Sequence, residues 1–172
     1  MKKFTFYSVP SVCACIAVML LARCTNNSTR LSAAENSAVK DSVEQMLAHI
    51  STDVSTRGPA AWINYFENNA GFFMGSDGAL AFRDYPSAKS FTLGTVVKNF
   101  KKISLSWKNL RVDPLTATYA SLGADFHEDV SMANGQRLSI DGYFTATAHF
   151  DGSRWKLRNM NWAIKVPQKT SN

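Results

Sequence analysis

The chain has 172 residues, 45% of them hydrophobic, and a formal net charge of +6. That is enough apolar material for one domain with its own core. Lys2, Lys3 and Arg23 stand in the first 23 residues, where there is no acid. The rest of the chain holds 16 basic against 13 acidic side chains, so it is only mildly basic and no nucleic-acid partner is expected.

All three cysteines, Cys13, Cys15 and Cys24, fall in the first 24 residues. The remaining domain has no thiol for a disulfide framework or a thiolate metal site. Lys2 and Lys3 precede an apolar stretch at 9–21, interrupted by Pro10. It is shorter than the ~20 residues a membrane-spanning helix needs and reads as an export signal. The stretch ends in Leu21-Ala22-Arg23-Cys24, which resembles the lipobox of bacterial lipoproteins, with Arg23 where that motif has a small residue. The resemblance implies lipidation of Cys24, a membrane anchor there, and a bacterial cell-envelope address. Thr25 after the cysteine implies the periplasmic side of the outer membrane. The alternatives are a soluble periplasmic or secreted product, cut after Ala34, and an uncleaved anchor. The expected organisation is a signal segment at 1–23, a flexible polar tether at 24–36, a domain at 37–166 and a tail at 167–172.

From Ser37 the apolar residues Val39, Val43, Met46, Leu47, Ile50 and Val54 recur at three- and four-residue spacing, which predicts a helix with one buried stripe. Arg57-Gly58-Pro59 ends it, and a second helix is predicted over 60–68, with Trp62, Tyr65 and Phe66 on one side. Short strands at 71–74 and 79–83 flank a Gly75-Ser76-Asp77-Gly78 turn, and a third helix is predicted over 86–102. Strands follow to the end. Ile103, Leu105 and Trp107 alternate with polar residues until Asp113-Pro114, where a break is expected. Ala120, Leu122, Ala124 and Phe126 form a second alternating run. Asn134-Gly135 and Asp151-Gly152 turn the chain into two further strands, the last placing Trp155, Leu157, Asn159 and Asn161 in one phase. Helices first and then an antiparallel meander make an α+β class, with one sheet face covered.

This order resembles the nuclear transport factor 2-like (SnoaL-like, cystatin-like) superfamily over about 37–165. The residues that carry the resemblance are Ala60-Ala61-Trp62-Ile63-Asn64-Tyr65-Phe66, the 75–78 turn, Asp141-Gly142-Tyr143-Phe144 and Gly152-Ser153-Arg154-Trp155-Lys156-Leu157. It implies a cone-shaped curved antiparallel sheet wrapped around three N-terminal helices, with a pocket at the open end. Members of that family include isomerases, dehydratases, cyclases and binding proteins, so fold alone does not give function. Where relatives carry a histidine in the last strand, this chain has Asn161.

The polar residues that fall in phase with apolar ones are the candidate pocket groups. Asn109 continues Leu105 and Trp107, Glu128 continues Ala124 and Phe126, and Asn159 and Asn161 continue Trp155 and Leu157. With Trp62, Tyr65 and Trp107 as walls, they predict a pocket for a small molecule or a protein partner, without assumed catalysis. Glu128 titrates, so an isomerase-, dehydratase- or cyclase-type enzyme using Glu128 and Tyr65 is the alternative. A third reading is a homodimer through an outer sheet face carrying Tyr119, Asp125, His127, Tyr143 and Thr145. Asp125, His127 and Asp129 alternate with core residues and are expected on that outer face. No Gly-x-Ser-x-Gly, HExxH or phosphate-cradling loop occurs, and no cofactor or metal site is expected.

Overall fold

The structure is a computed structural model that describes residues 30–165; the expected signal segment at 1–23, Cys24 and the expected tail at 167–172 lie outside the described residues. Helix α1 (Ala33–Arg57) buries the expected stripe from Val39 to Val54. It begins four residues ahead of the expected boundary at 37, because its cap lies before its first apolar residue. The Glu35 amide donates to Ser32 Oγ (3.2 Å), while the Ser32 amide donates to Glu35 Oε2 (2.8 Å). Gly58, at φ +84°, ends the helix.

The segment expected as a second α-helix is a single 3-10 stretch, Pro59–Asn64. It stops early because the sheet claims the next backbone groups. The Leu157 amide donates to Tyr65 O (2.8 Å), and the Glu67 amide donates to Leu157 O (2.9 Å). Strands β1 (Phe73–Ser76) and β2 (Ala79–Phe82) follow, joined through Asp77 and Gly78 at φ +49° and +84°, the mirror-image turn that suits a hairpin.

Helix α2 (Tyr85–Phe91) is capped by Asp84 and widens into a π-helical turn, Thr92–Val96, closed by the Val97 amide donating to Thr92 O. A last short turn, α3 (Val97–Asn99), precedes β3 (Phe100–Thr116). The helix expected to reach residue 102 therefore ends at Asn99, because pairing with the next strand extends back to Phe100 opposite Met132. Asp113-Pro114 lies inside β3 rather than breaking it. β3 is an edge strand, where a missing N–H costs no ladder bond.

Strands β4 (Tyr119–Met132), β5 (Arg137–Phe150) and β6 (Trp155–Ile164) complete a six-stranded sheet in the order β2-β1-β6-β5-β4-β3. All neighbours are antiparallel except β1 and β6, which run parallel. Helix α1 lies against β3, where the Leu105 amide donates to Ser55 Oγ (3.0 Å) and Trp107 Nε1 donates to Leu47 O (3.0 Å). Val43, Leu47, Ile50 and Val54 are fully buried there with Phe144, Ala148 and Leu157.

One irregularity decides what the interior contains. Thr147 pairs with Asn159 but Ala148 pairs with Leu157, so Arg158 is an extra residue in β6. The bulge shifts the alternation by one. Leu157 faces the core, and beyond the bulge Met160 and Trp162 do so, opposite Ala146 and Phe144. Asn159 and Asn161, expected to face inward, stand on the outer face.

The shift sets opposite expectations for neighbouring residues. Met160→Ala lowers the unfolding free energy by roughly 2–4 kcal/mol, whereas Asn161→Ala changes it by less than about 0.5 kcal/mol, both read from urea denaturation. Equal costs at the two positions would contradict the shifted phase.

Candidate ligand-binding cavity

A cavity of about 280 Å³ lies between the inner sheet face and the helical turns. Trp62 and Phe66, on the 3-10 stretch and just after it, form one wall. The β1–β2 hairpin contributes Met74, Ser76 and Phe82. The α2 helix and π-turn contribute Phe91, Thr92 and Val96, and the sheet supplies Phe100, Ile103, Phe126, Glu128, Ile140, Trp162 and Ile164. Phe91 and Ile164 are 44% and 47% exposed and mark the mouth. The wider turn of the π-segment sets Thr92 and Val96, four residues apart, on the same side toward the cavity.

Aromatic packing holds this wall. The Trp162 ring sits 5.4 Å from Trp62 edge-on, 4.7 Å from Phe126 and 4.6 Å from Phe144. Such offset and edge-on pairs add to plain burial. Gly142 makes room for Phe126, since a Cβ there would come within 2.4 Å of its ring.

Besides the indole N–H groups of Trp62 and Trp162, the lining has three polar side chains, and two of these are already engaged. Thr92 Oγ1 donates to Ala88 O (2.8 Å), and Ser76 Oγ donates to Asp77 Oδ2 (3.1 Å). Glu128 lies opposite Leu105 and Ile140 on the inner face, and its carboxyl makes no hydrogen bond or ion pair among the described residues. Burial alone pushes its carboxyl up from the ordinary 4.5 to about 7, with no charged neighbour contributing.

The predicted pocket residues divide four ways. Trp62 and Glu128 line the cavity. Trp107 packs behind it, 6.5 Å from Trp62 and 6.0 Å from Trp162, with its N–H held by α1. Tyr65 belongs elsewhere, lining a separate groove of about 450 Å³ with His49, Asp53, Arg57 and Arg154. Its hydroxyl donates to Asp53 Oδ2 (2.7 Å), and burial, with that aspartate, pushes it up to about 12. The pairing of Tyr65 with Glu128 in one active site is therefore not formed.

Asn109 belongs to the fourth group, on the outer face. At φ +50° it sits in a register shift of β3, and its Nδ2 donates to Asp125 Oδ2 on the outer face (2.6 Å). Asn159 and Asn161 line a shallow outer groove with Thr145 and Thr147. Asp125, His127 and Asp129 face outward as expected. There His127 Nδ1 lies 2.9 Å from Asp141 Oδ1, and that contact raises the imidazole's affinity for a proton.

The sequence reading did not single out Trp162, Phe126, Ile140 or the hairpin residues as lining. It also missed a buried ionic cluster near the bulge. Glu67, only 6% exposed, meets His149 Nδ1 at 2.6 Å and Arg158 Nη1 at 3.4 Å, and Asn69 Nδ2 donates to it. Arg158 crosses Gly71, where a Cβ would fall 2.1 Å from Nη2. Among the described residues no three His, Cys, Asp or Glu side chains converge as a metal site would require.

No known family model and no curated protein sequence matches the chain. Solved structures do match. A scytalone dehydratase-like protein from Novosphingobium aromaticivorans superposes with a TM-score of 0.67 at 14% identity, covering 82% of this chain and 93% of that one. The fold is nuclear transport factor 2-like. A nuclear transport factor 2-like superfamily protein from Salmonella enterica serovar Typhimurium matches with a TM-score of 0.64 at 16% identity, over 78% of this chain and 95% of that one. A hexachlorocyclohexane dehydrochlorinase (LinA, type 2) gives 0.64 at 12% identity, over 78% and 90%. Identities this low establish the nuclear transport factor 2-like architecture and nothing about chemistry.

The Glu128 environment has a thermodynamic signature. Between pH 4.5 and about 7 the folded chain keeps a proton that the unfolded chain releases, so stability falls with rising pH and the loss is complete above 7. Glu128→Gln removes that penalty. It raises Tm at pH 8 by about 3–8 °C, corresponding to roughly 1–2 kcal/mol after solvent screening, and leaves Tm at pH 4 unchanged in calorimetry.

Proposed function

We propose that this protein binds a small, mostly apolar molecule in the Trp62–Phe126–Trp162 cavity, oriented by Glu128. The observation that carries the reading is the cavity's chemistry: an aromatic and aliphatic lining with a single, unpartnered carboxyl. Apolar walls supply affinity and a sparse polar group supplies orientation, as in most small-molecule sites. Export and anchoring through Cys24 belong to the same reading. One structural feature favours Cys24 over cleavage after Ala34. The latter cut would fall inside the first turn of α1 and remove its cap, Ser32.

A second reading rests on the Glu128 carboxyl at about 7, a value suited to a general base at neutral pH. The dehydrochlorinase and dehydratase-like proteins of the same fold make an elimination the reaction class to test. Glu128 would act there without Tyr65. A third, a homodimer, draws on the exposed outer sheet face, where Tyr143 is 47% exposed. Charge reversal at Asp125 would then change the sedimentation profile and leave cavity binding alone.

Binding is read from the fluorescence of the neutral apolar dye N-phenyl-1-naphthylamine. The wild type enhances it. Val96→Trp, which pushes an indole into the cavity from the π-turn, weakens binding at least about tenfold with the circular dichroism unchanged. Equal binding by the two proteins would overturn the cavity reading. Mass spectrometry of membrane-extracted protein is expected to show a diacylglyceryl adduct on Cys24 as the first residue; an unmodified Cys24 would remove the anchor.

A further inference from the structure

The binding reading leaves open what the ligand carries to Glu128, and the cavity wall constrains it. An ionised carboxylate only accepts hydrogen bonds, and it needs donors or a cation nearby when removed from water. The wall offers no cation, and its side-chain N–H donors are the indoles of Trp62 and Trp162. Thr92 and Ser76 direct their hydroxyl protons to Ala88 O and to Asp77 Oδ2. No lysine, arginine or histidine lines the cavity, and no second carboxyl does. The nearest charged groups in sequence, His127 and Asp129, point to the opposite face of the sheet, where they pair with each other at 3.4 Å.

The remaining lining is rich in π-faces. Trp62 and Trp162 stand edge-to-face at 5.4 Å, and Phe126 lies 4.7 Å from Trp162; Phe126 is two residues from Glu128 on the same strand face. Tryptophan and phenylalanine rings attract cations through their quadrupoles, most strongly where water is excluded. A carboxylate lacking a counter-ion beside such rings is complementary to one ligand chemistry. Resting on the binding reading above, we infer that the cavity takes a hydrophobic organic cation, an aryl- or alkylamine whose ammonium group meets Glu128 while its apolar body fills the aromatic end.

The alternative partner for Glu128 is a neutral acceptor, held by the protonated carboxyl. The two differ in the sign of their pH dependence. The amine stays charged throughout, so its binding strengthens as Glu128 ionises with rising pH; a neutral acceptor loses its donor over the same range. No other titratable side chain lines the cavity from the helical turns, the hairpin or the sheet, so the dependence reports Glu128.

The test displaces N-phenyl-1-naphthylamine from the full chain with three matched probes: 4-phenylbutylamine, 4-phenylbutanol and 4-phenylbutyrate. At pH 8 the amine is expected to bind at least about tenfold tighter than the alcohol, and the carboxylate weakest. The amine's advantage shrinks at pH 5. Glu128→Gln abolishes it, and an unchanged circular dichroism spectrum shows that the variant is folded. If the dye binds but the amine is no tighter than the alcohol at pH 8, the cation assignment falls and the cavity reading stands. If binding of the alcohol, not the amine, responds to Glu128→Gln, the neutral-acceptor alternative replaces it. If neither dye nor probes bind, both readings fall together.

Discussion

The bulge at Arg158 is the constraint on which the interior depends. A pleated strand offers each residue one of two faces, so an extra residue exchanges the faces of everything beyond it. Upstream, Leu157 seals the core under α1; downstream, Met160 and Trp162 turn inward to meet Ala146 and Phe144. Without the extra residue, Asn159 and Asn161 would line the cavity and Trp162 would face water. The bulged residue is also tied down. Arg158 reaches over Gly71 to Glu67, which His149 and Asn69 hold as well. A buried carboxylate needs several such partners, and removing one leaves an uncompensated charge. The ionic cluster thus fixes the register of the strand that carries the cavity's principal tryptophan.

Glu67 and Glu128 show how one side-chain type takes two roles by environment. Glu67 is buried with a histidine, an arginine and an amide around it, so its charge is answered within the protein. Glu128 is partly buried among aromatic and aliphatic groups with no answering charge, and its proton is held accordingly. A carboxyl in that position weakens the fold at neutral pH without a compensating contact. Sites of this kind, where a local rule of stability is broken without repair nearby, are where function is expected to reside.

Helix α1, the meander and the turns were legible because their signals are local. The stripe from Val39 to Val54 obeys helical spacing, and Asp77-Gly78, Asn134-Gly135 and Asp151-Gly152 carry turn chemistry that needs no tertiary context. The outward placing of Asp125, His127 and Asp129 followed from the same alternation. What failed was alternation carried too far. Asn109, Asn159 and Asn161 each lie at or beyond a register shift, at Lys108–Arg111 in β3 and at Arg158 in β6. The signal for the second was present: Leu157 and Met160 are three apart, not two, and Trp162 and Ile164 continue the new phase. Tyr65 failed for another reason. Its neighbours Trp62 and Phe66 do face the cavity, but the chain leaves the 3-10 stretch at Asn64 to pair with β6, which sends the phenol to Asp53 instead.

The cavity is assembled from parts that no single periodicity unites. The hairpin brings Met74 and Phe82, the π-turn brings Thr92 and Val96, and the bulged strand brings Trp162 to complete the wall. Each part breaks a regular pattern: a mirror-image turn, a widened helical turn, an extra strand residue. Regular elements bury their apolar faces against one another and leave no room, whereas these departures hold the hairpin, the turn and the sheet apart around Glu128. The sparse chemistry of the site follows from the same construction. Polar groups on the irregular segments satisfy themselves locally, as Thr92 does at Ala88 O and Ser76 at Asp77, and leave the strand carboxyl as the one acidic group of the lining that a ligand must answer.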